Sequence, residues 1–301
     1  MKKFNFKSKK FLTTAFFIAS GLTILSPSNP VKAEGECPAA STVTSPNGFG
    51  DASSFIALSG GSCYGTPEKY GVTIYKMALC SENPAPTVGA VPDTSSCTFT
   101  FQKDDGVGET KSFGDDEVLD LSAEYSSDPA IGDYTYAYIE IKNSFDIKAK
   151  YGPMGDTDNT TYFTNGTSVD TITGSSATPP TTSYAATTYA MNTFFGDGGA
   201  EECVATADES VAGGTIRAYL LDSSDQLIAD DDSLASCETL GVTKLLGIMQ
   251  LDDDVNITAS TSSLTATFKV ENNGTTIMYD DGSDGIGFDS GPFSVSFETS
   301  E

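Results

Sequence analysis

The chain has 301 residues, of which 42 are Asp or Glu and 16 are Lys or Arg, with no His and no Trp. The absence of His excludes Ser-His-Asp and Cys-His nucleophilic catalysis and His-ligated zinc, copper or haem, and no GxSxG, P-loop or HExxH pattern is present. A formal net charge of −26 disfavours nucleic acid and anionic membranes as partners, and leaves carboxylate chemistry and hard-cation binding as the surviving classes.

At the start of the chain, Lys2, Lys3, Lys7, Lys9 and Lys10 precede an apolar run from Phe11 to Leu25, broken by Ser26-Pro27. Val31-Lys32-Ala33 then supplies a cleavage pattern, so residues 1–33 read as a secretory signal peptide too short to span a bilayer. Six of the 16 basic residues and none of the 42 acidic ones lie in it, so cleavage after Ala33 leaves a net charge of −32. No second long apolar segment follows. The mature chain is expected outside the cell or at its surface, with no stable membrane span.

Residues 34–60 are rich in Gly, Ser and Pro and read as an N-terminal arm tethered by Cys37. Residues 61–170 and 189–301 each carry short runs of period two, the pattern of a strand with one face buried. In the first half these runs fall at 72–79, 97–102, 117–122, 133–142, 145–151 and 160–164. In the second they fall at 187–195, 214–221, 244–251, 255–260, 264–270, 275–279 and 293–298, with one short helical turn within 232–240. Turn signals such as Asp104-Asp105-Gly106, Asn165-Gly166 and Asn273-Gly274 separate them. The stretch 171–188, TITGSSATPPTTSYAATT, reads as a linker or a long loop. The expected fold is therefore all-β: one or two antiparallel β-sandwich domains, Ig-like or transthyretin-like, with little helix. A faint echo between 138–149 and 248–259 gives each the pattern strand, tight bend, strand.

The six cysteines, Cys37, Cys63, Cys80, Cys97, Cys203 and Cys237, are even in number and form no CxxC. In a secreted chain they read as three disulfides, paired sequentially as 37–63, 80–97 and 203–237. The middle pair closes the Pro-rich stretch CSENPAPTVGAVPDTSSC.

Three groups of residues are site candidates. Tyr134, Tyr136 and Tyr138 share one face of a strand and offer either a partner surface or ordinary cross-strand packing. Asp280, Asp284 and Asp289, in DDGSDGIGFDSG, are weak calcium candidates, although the EF-hand pattern fails at Gly282 and Gly291. Asp230–Asp232 and Asp252–Asp254 are read as solvated charge, because consecutive strand residues face opposite ways. Asn159, Asn165, Asn256 and Asn273 begin Asn-x-Thr triplets.

No residue is assigned a catalytic role, and no cofactor is expected apart from calcium. The reading these features favour is a non-enzymatic, secreted, disulfide-bonded structural or filament subunit at the cell surface. Its partners would be other copies or other surface proteins, joined through strand edges. A glycan- or calcium-binding module is the alternative, and a carboxylate-based glycoside hydrolase the second alternative.

Overall fold

A computed structural model describes residues 36–42, 62–103, 105–114, 121–155, 161–164, 166, 186–194, 202–211, 213–234, 236–280 and 285–301. Their strands, in chain order, begin with β1 (Ser62–Gly65), β2 (Lys69–Cys80), β3 (Cys97–Gln102), β4 (Glu109–Phe113) and β5 (Gly132–Lys148). Next come β6 (Lys150–Tyr151), β7 (Tyr162–Phe163), β8 (Thr187–Tyr189), β9 (Thr206–Val211) and β10 (Gly214–Leu221). The series ends with β11 (Lys244–Ile257), β12 (Ser263–Lys269), β13 (Thr275–Asp280), β14 (Gly285–Ser290) and β15 (Ser294–Ser300). Helix is confined, among the described residues, to two short 3-10 turns, Ala40–Thr42 and Cys237–Leu240. The second lies where a helical turn was expected.

The main sheet runs β3-β2-β5-β11-β10-β9, with β4 pairing beside β3 on β2 and β8 pairing on β5; β1-β13-β14, β12-β15 and β6-β7 form smaller sheets. Every pairing between these strands is antiparallel. One face of the main sheet packs on the small sheets: Val72, Ile74, Ile141, Phe145 and Ile147 share a core with Phe268, Val270, Ile277, Phe288 and Val295. Each such fully buried side chain contributes roughly 1.5–3 kcal/mol by leaving water. Tyr70 joins the layers, its ring 5.6 Å from Phe145 and 5.9 Å from Phe293, which lies 5.9 Å from Phe268. The arrangement is sandwich-like. The opposite face carries Ala78, Tyr138, Tyr219, Leu246 and Ile248, packed with Leu227 and with Ala85 of the Pro-rich loop.

The three disulfides pair as expected. Cys37–Cys63, Cys80–Cys97 and Cys203–Cys237 hold their Cα atoms 4.8, 4.0 and 4.6 Å apart. Cys80 and Cys97 are directly opposite on β2 and β3, so the Pro-rich loop is the connection of one stapled strand pair. Cys37, in the expected arm 34–60, is bonded to Cys63, and residues 34–35 and 43–60 of that arm lie outside the described residues.

Several boundaries differ from those the pattern suggests. β5 is a single 17-residue strand where two were expected: Asn143 N donates to Thr243 O at 3.0 Å, and the pairing with β2 continues through register shifts between Val72 and Lys76. β11 likewise runs through, with a bulge between Gln250 and Val255. Asp252–Asp254 ride on that bulge, exposed. Residues 121 and 122 lie in no strand, and 115–120 lie outside the described residues. β5, from the first expected domain, pairs with β11, from the second, over ten registered positions. The two halves around 171–188 therefore share one sheet and one core. Most of that stretch lies outside the described residues, but its last two, Thr187 and Thr188, begin β8.

Candidate functional site

Two features are distinctive once the register is known. The first is a cavity of about 360 Å³ between the main sheet and the three-stranded sheet. Its origin is a row of small residues. Ala207 on β9 is opposite Ala218 on β10, Ala218 is opposite Gly247 on β11, and Gly247 is opposite Ile139 on β5. Across from it, Tyr64, Thr276 and Asp289 are registered on β1, β13 and β14 and line the other wall. Three consecutive small side chains leave a layer unfilled that Leu or Ile would otherwise occupy. The walls are mostly apolar, with Asp208, Glu209, Thr276, Asp289 and Ser290 among the polar groups. At one margin Tyr70 Oη lies 2.8 Å from Ser290 Oγ, and burial raises the Tyr70 hydroxyl far above the usual phenol range.

The cavity adjoins β9, which ends the main sheet; no further strand lies beyond it among the described residues. The other end of the sheet is covered. Gln102 N donates to Tyr125 O at 2.9 Å and Ser127 N to Thr100 O at 3.0 Å, so the segment 121–127 caps the β3 edge. Residue Glu209 of β9 takes the inward-alternating position between Ala207 and Val211, and an inward charge on an edge strand is a device against indiscriminate pairing. Gly291, at the cavity mouth, has no room for a side chain, since a Cβ there would sit 2.0 Å from Asn273 O.

The second feature is a buried charge cluster on the other face. Glu140 is 1% exposed and accepts from Lys76 Nζ at 3.1 Å, Lys244 Nζ at 2.8 Å and Tyr138 Oη at 2.9 Å. Asp225 joins it, 2.5 Å from Lys244 Nζ and 3.7 Å from Lys76 Nζ. Two lysines and two carboxylates thus balance, in a molecule where basic residues are scarce. Burial acts to lower the proton affinity of Lys244, but its hydrogen bonds to Asp225 and Glu140 prevail and hold the ammonium above its ordinary range. Asp225 adopts a left-handed backbone, φ 62°, in a turn held by Ser224 N and Gln226 N donating to Asp222 Oδ1 at 2.7 and 3.0 Å. That turn, in the connection from β10 to β11, aims the Asp225 carboxylate at Lys244.

The residues singled out from sequence are distributed differently. Tyr134 and Tyr138 are 4% and 3% exposed, and Tyr136 is half-buried. The row is not a continuous face: Tyr134 packs with Leu79, Ala137 and Met249, and Tyr138 with Ala78 and Leu246. Tyr134 Oη donates to Ala130 O at 2.9 Å. Two of the three rings therefore fill the sheet's own layers, which is the cross-strand packing that was the other reading of the row.

Asp280 is opposite Gly285 and Asp289 opposite Thr276, four positions apart on the β13–β14 hairpin, which is about 13 Å along a strand. Asp284 lies outside the described residues. Among the described residues, no group of three or more His, Cys, Asp or Glu side chains is placed to hold a metal ion. Asp230 and Asp231 have structural partners: Ala205 N donates to Asp230 Oδ1 at 2.7 Å, and Ser233 N to Asp231 Oδ1 at 2.9 Å.

Sequence reasoning missed the charge cluster and the cavity. A signal for the first existed, since Glu140 and Lys76 interrupt otherwise apolar strand runs. The second depends on register, which no local pattern shows.

No protein family, curated protein or solved structure matches this chain. No helix among the described residues is long and apolar enough to cross a membrane. Three disulfides are consistent with an extracellular location.

Proposed function

We propose that this protein is a secreted, non-enzymatic structural subunit that associates with copies of itself by strand addition at β9. The observation that carries the reading is the asymmetry of the main sheet: its β3 edge is capped, while its β9 edge borders an apolar cavity. Strand addition supplies main-chain hydrogen bonds along the edge and places alternate side chains into pockets behind it. A cavity of about 360 Å³ is the size of a small ligand pocket, since such pockets begin at about 300 Å³, and it offers apolar side chains a place behind the edge.

The occupant the chemistry favours is the loop 43–61 of a second copy. Asp51 is its single charged residue, and it contains the apolar run Phe55-Ile56-Ala57-Leu58. The stretch 171–188 carries no acid at all but lacks such an apolar run, and the more acidic segments are disfavoured by the acidic rim at Asp208, Glu209 and Asp289. Cys37 and Cys63, which flank this segment in the chain, lie beside the cavity wall, because Cys37 N donates to Tyr64 O at 2.9 Å and Cys37 is bonded to Cys63.

Size-exclusion chromatography and negative-stain microscopy of the chain from Glu34 test the proposal. Concentration-dependent oligomers or filaments are expected, lost in an Ile56→Asp, Leu58→Asp variant. A species that stays monomeric at every concentration contradicts it.

A further inference from the structure

The charge cluster on the far face of the main sheet takes no part in strand addition, and its geometry suits a covalent step. Lys244 Nζ lies 2.5 Å from Asp225 Oδ1 and 2.8 Å from Glu140 Oε1, so one amine meets two carboxyl groups, one of them buried and the other part-exposed. Glu140 is fixed by Lys76 and Tyr138, and apolar neighbours Tyr219 and Leu246 continue its row across β10 and β11. A surface ion pair would need none of this: buried pairs often gain little net stability over apolar packing of the same volume. The left-handed Asp225 adds a second observation, because the strained turn orders a carboxylate that a relaxed loop would leave in water.

We propose that Lys244 and Asp225 condense into an intramolecular amide, with Glu140 carrying protons between the reacting atoms. The step is balanced without any co-reactant. The Lys244 ammonium first passes one proton to the Asp225 carboxylate, giving a neutral amine and a neutral acid. The cluster holds Lys244 as the ammonium, so this transfer is uphill and the neutral pair is a minor form from which the reaction proceeds. The Nζ lone pair then attacks Asp225 Cγ, forming the C–N bond and a tetrahedral centre. Glu140 takes the second proton from Nζ and delivers it to the departing hydroxyl. The C–O bond breaks, one water leaves, and Nζ keeps a single hydrogen as an amide N–H.

Condensation of a free amine and acid is unfavourable in water. Fixed contact changes that, since well-oriented intramolecular reactions reach effective molarities of about 10⁵ M or more. The product water has an exit on the side of Asp225, whose side chain is 29% exposed. The bond would close the β10–β11 connection, which already holds Cys237 of a disulfide, and so lock one end of the main sheet. This inference stands apart from the filament reading and survives its failure.

Intact-mass spectrometry of the purified, non-reduced chain from Glu34 tests it. The expected mass is that of the sequence with three disulfides, less one water, with peptide mapping joining the Asp225 and Lys244 peptides. Lys244→Arg, which preserves the charge pair, and Asp225→Ala are expected to show no loss of water. A parent mass without the loss overturns the proposal, as does a loss that persists in Asp225→Ala. A Glu140→Gln chain that is folded by circular dichroism yet still loses water overturns the part given to Glu140. A folded Glu140→Gln chain that keeps it supports that part.

Discussion

Ala218 and Gly247 face each other across β10 and β11, and this pair is the centre of the layer left unfilled between the sheets. Ile139 and Ile216 stand on either side of Gly247, within 3.1 and 3.3 Å of where its Cβ would be. The hollow is therefore written into side-chain size at registered positions, and it can be closed by changing one of them.

Ala218→Phe puts a ring into the cavity. Cavity filling commonly adds about 1 kcal/mol to stability, so thermal melting is expected to be unchanged or slightly raised. Sedimentation velocity is expected to show weakened self-association. A filled variant that associates as strongly as the parent would separate the cavity from assembly.

Glu140 is the keystone of the charge cluster. Replacing it with Ala leaves Lys76 and Lys244 without their shared buried acceptor. Breaking a buried pair from one side costs about 3–5 kcal/mol, to be read as a lower urea midpoint at constant slope. A loss under 1 kcal/mol would show that solvent already screens the cluster.

These two features also mark what was legible in the sequence. The alternation in β12 and β15 was plain, since each keeps one apolar face against a core, and β2 was plain as an apolar run, buried on both faces. The cysteine pairing was plain as well from its sequential order, although only Cys80 and Cys97 sit at adjacent strand ends. β14, GIGFDS, was hidden because its Gly and Asp residues resemble a cation loop, yet Ile286 and Phe288 are buried in the common core. β9, TADESV, was missed because an edge strand with acidic residues lacks the apolar run of a central one. Glu140 was one acid among 42, and only the register reveals that Lys76 is opposite it. The union of both halves in one sheet depends likewise on long-range pairing of β5 with β11.

The stapled strand pair gives a separate prediction. Cys80 and Cys97 are 17 residues apart, and opening such a loop costs about 3 kcal/mol in the chain-entropy account. A Cys80→Ser, Cys97→Ser double variant is expected to unfold at lower denaturant by about that amount. An unchanged midpoint would mean that strand pairing alone holds the loop.

Stability is expected to fall at both ends of the pH scale. Glu109 is opposed by burial, but Lys111 and the Ser122 backbone stabilise its charged form, so its carboxyl sits below the ordinary 4.5. A depressed acid contributes fully above that value, and its contribution is lost as pH falls through the lower folded value. Burial pushes Tyr151 up to about 12 from 10, and raises Tyr70 as well. For these raised groups the sign reverses: stability is intact below pH 10 and is lost as pH climbs from 10 to about 12. Denaturant titrations across pH check this. A Glu109→Gln variant should flatten the acid limb, and Tyr151→Phe the alkaline one; unaltered limbs would contradict the assignments.

The central claim is that copies join along β9. Hydrogen exchange of the amides of Thr206–Val211, compared between dilute chain and concentrated assembly, measures this most directly. The account predicts slower exchange at alternate β9 positions in the assembly, with the capped β3 strand unchanged. Assembly with no added protection in β9 would contradict it.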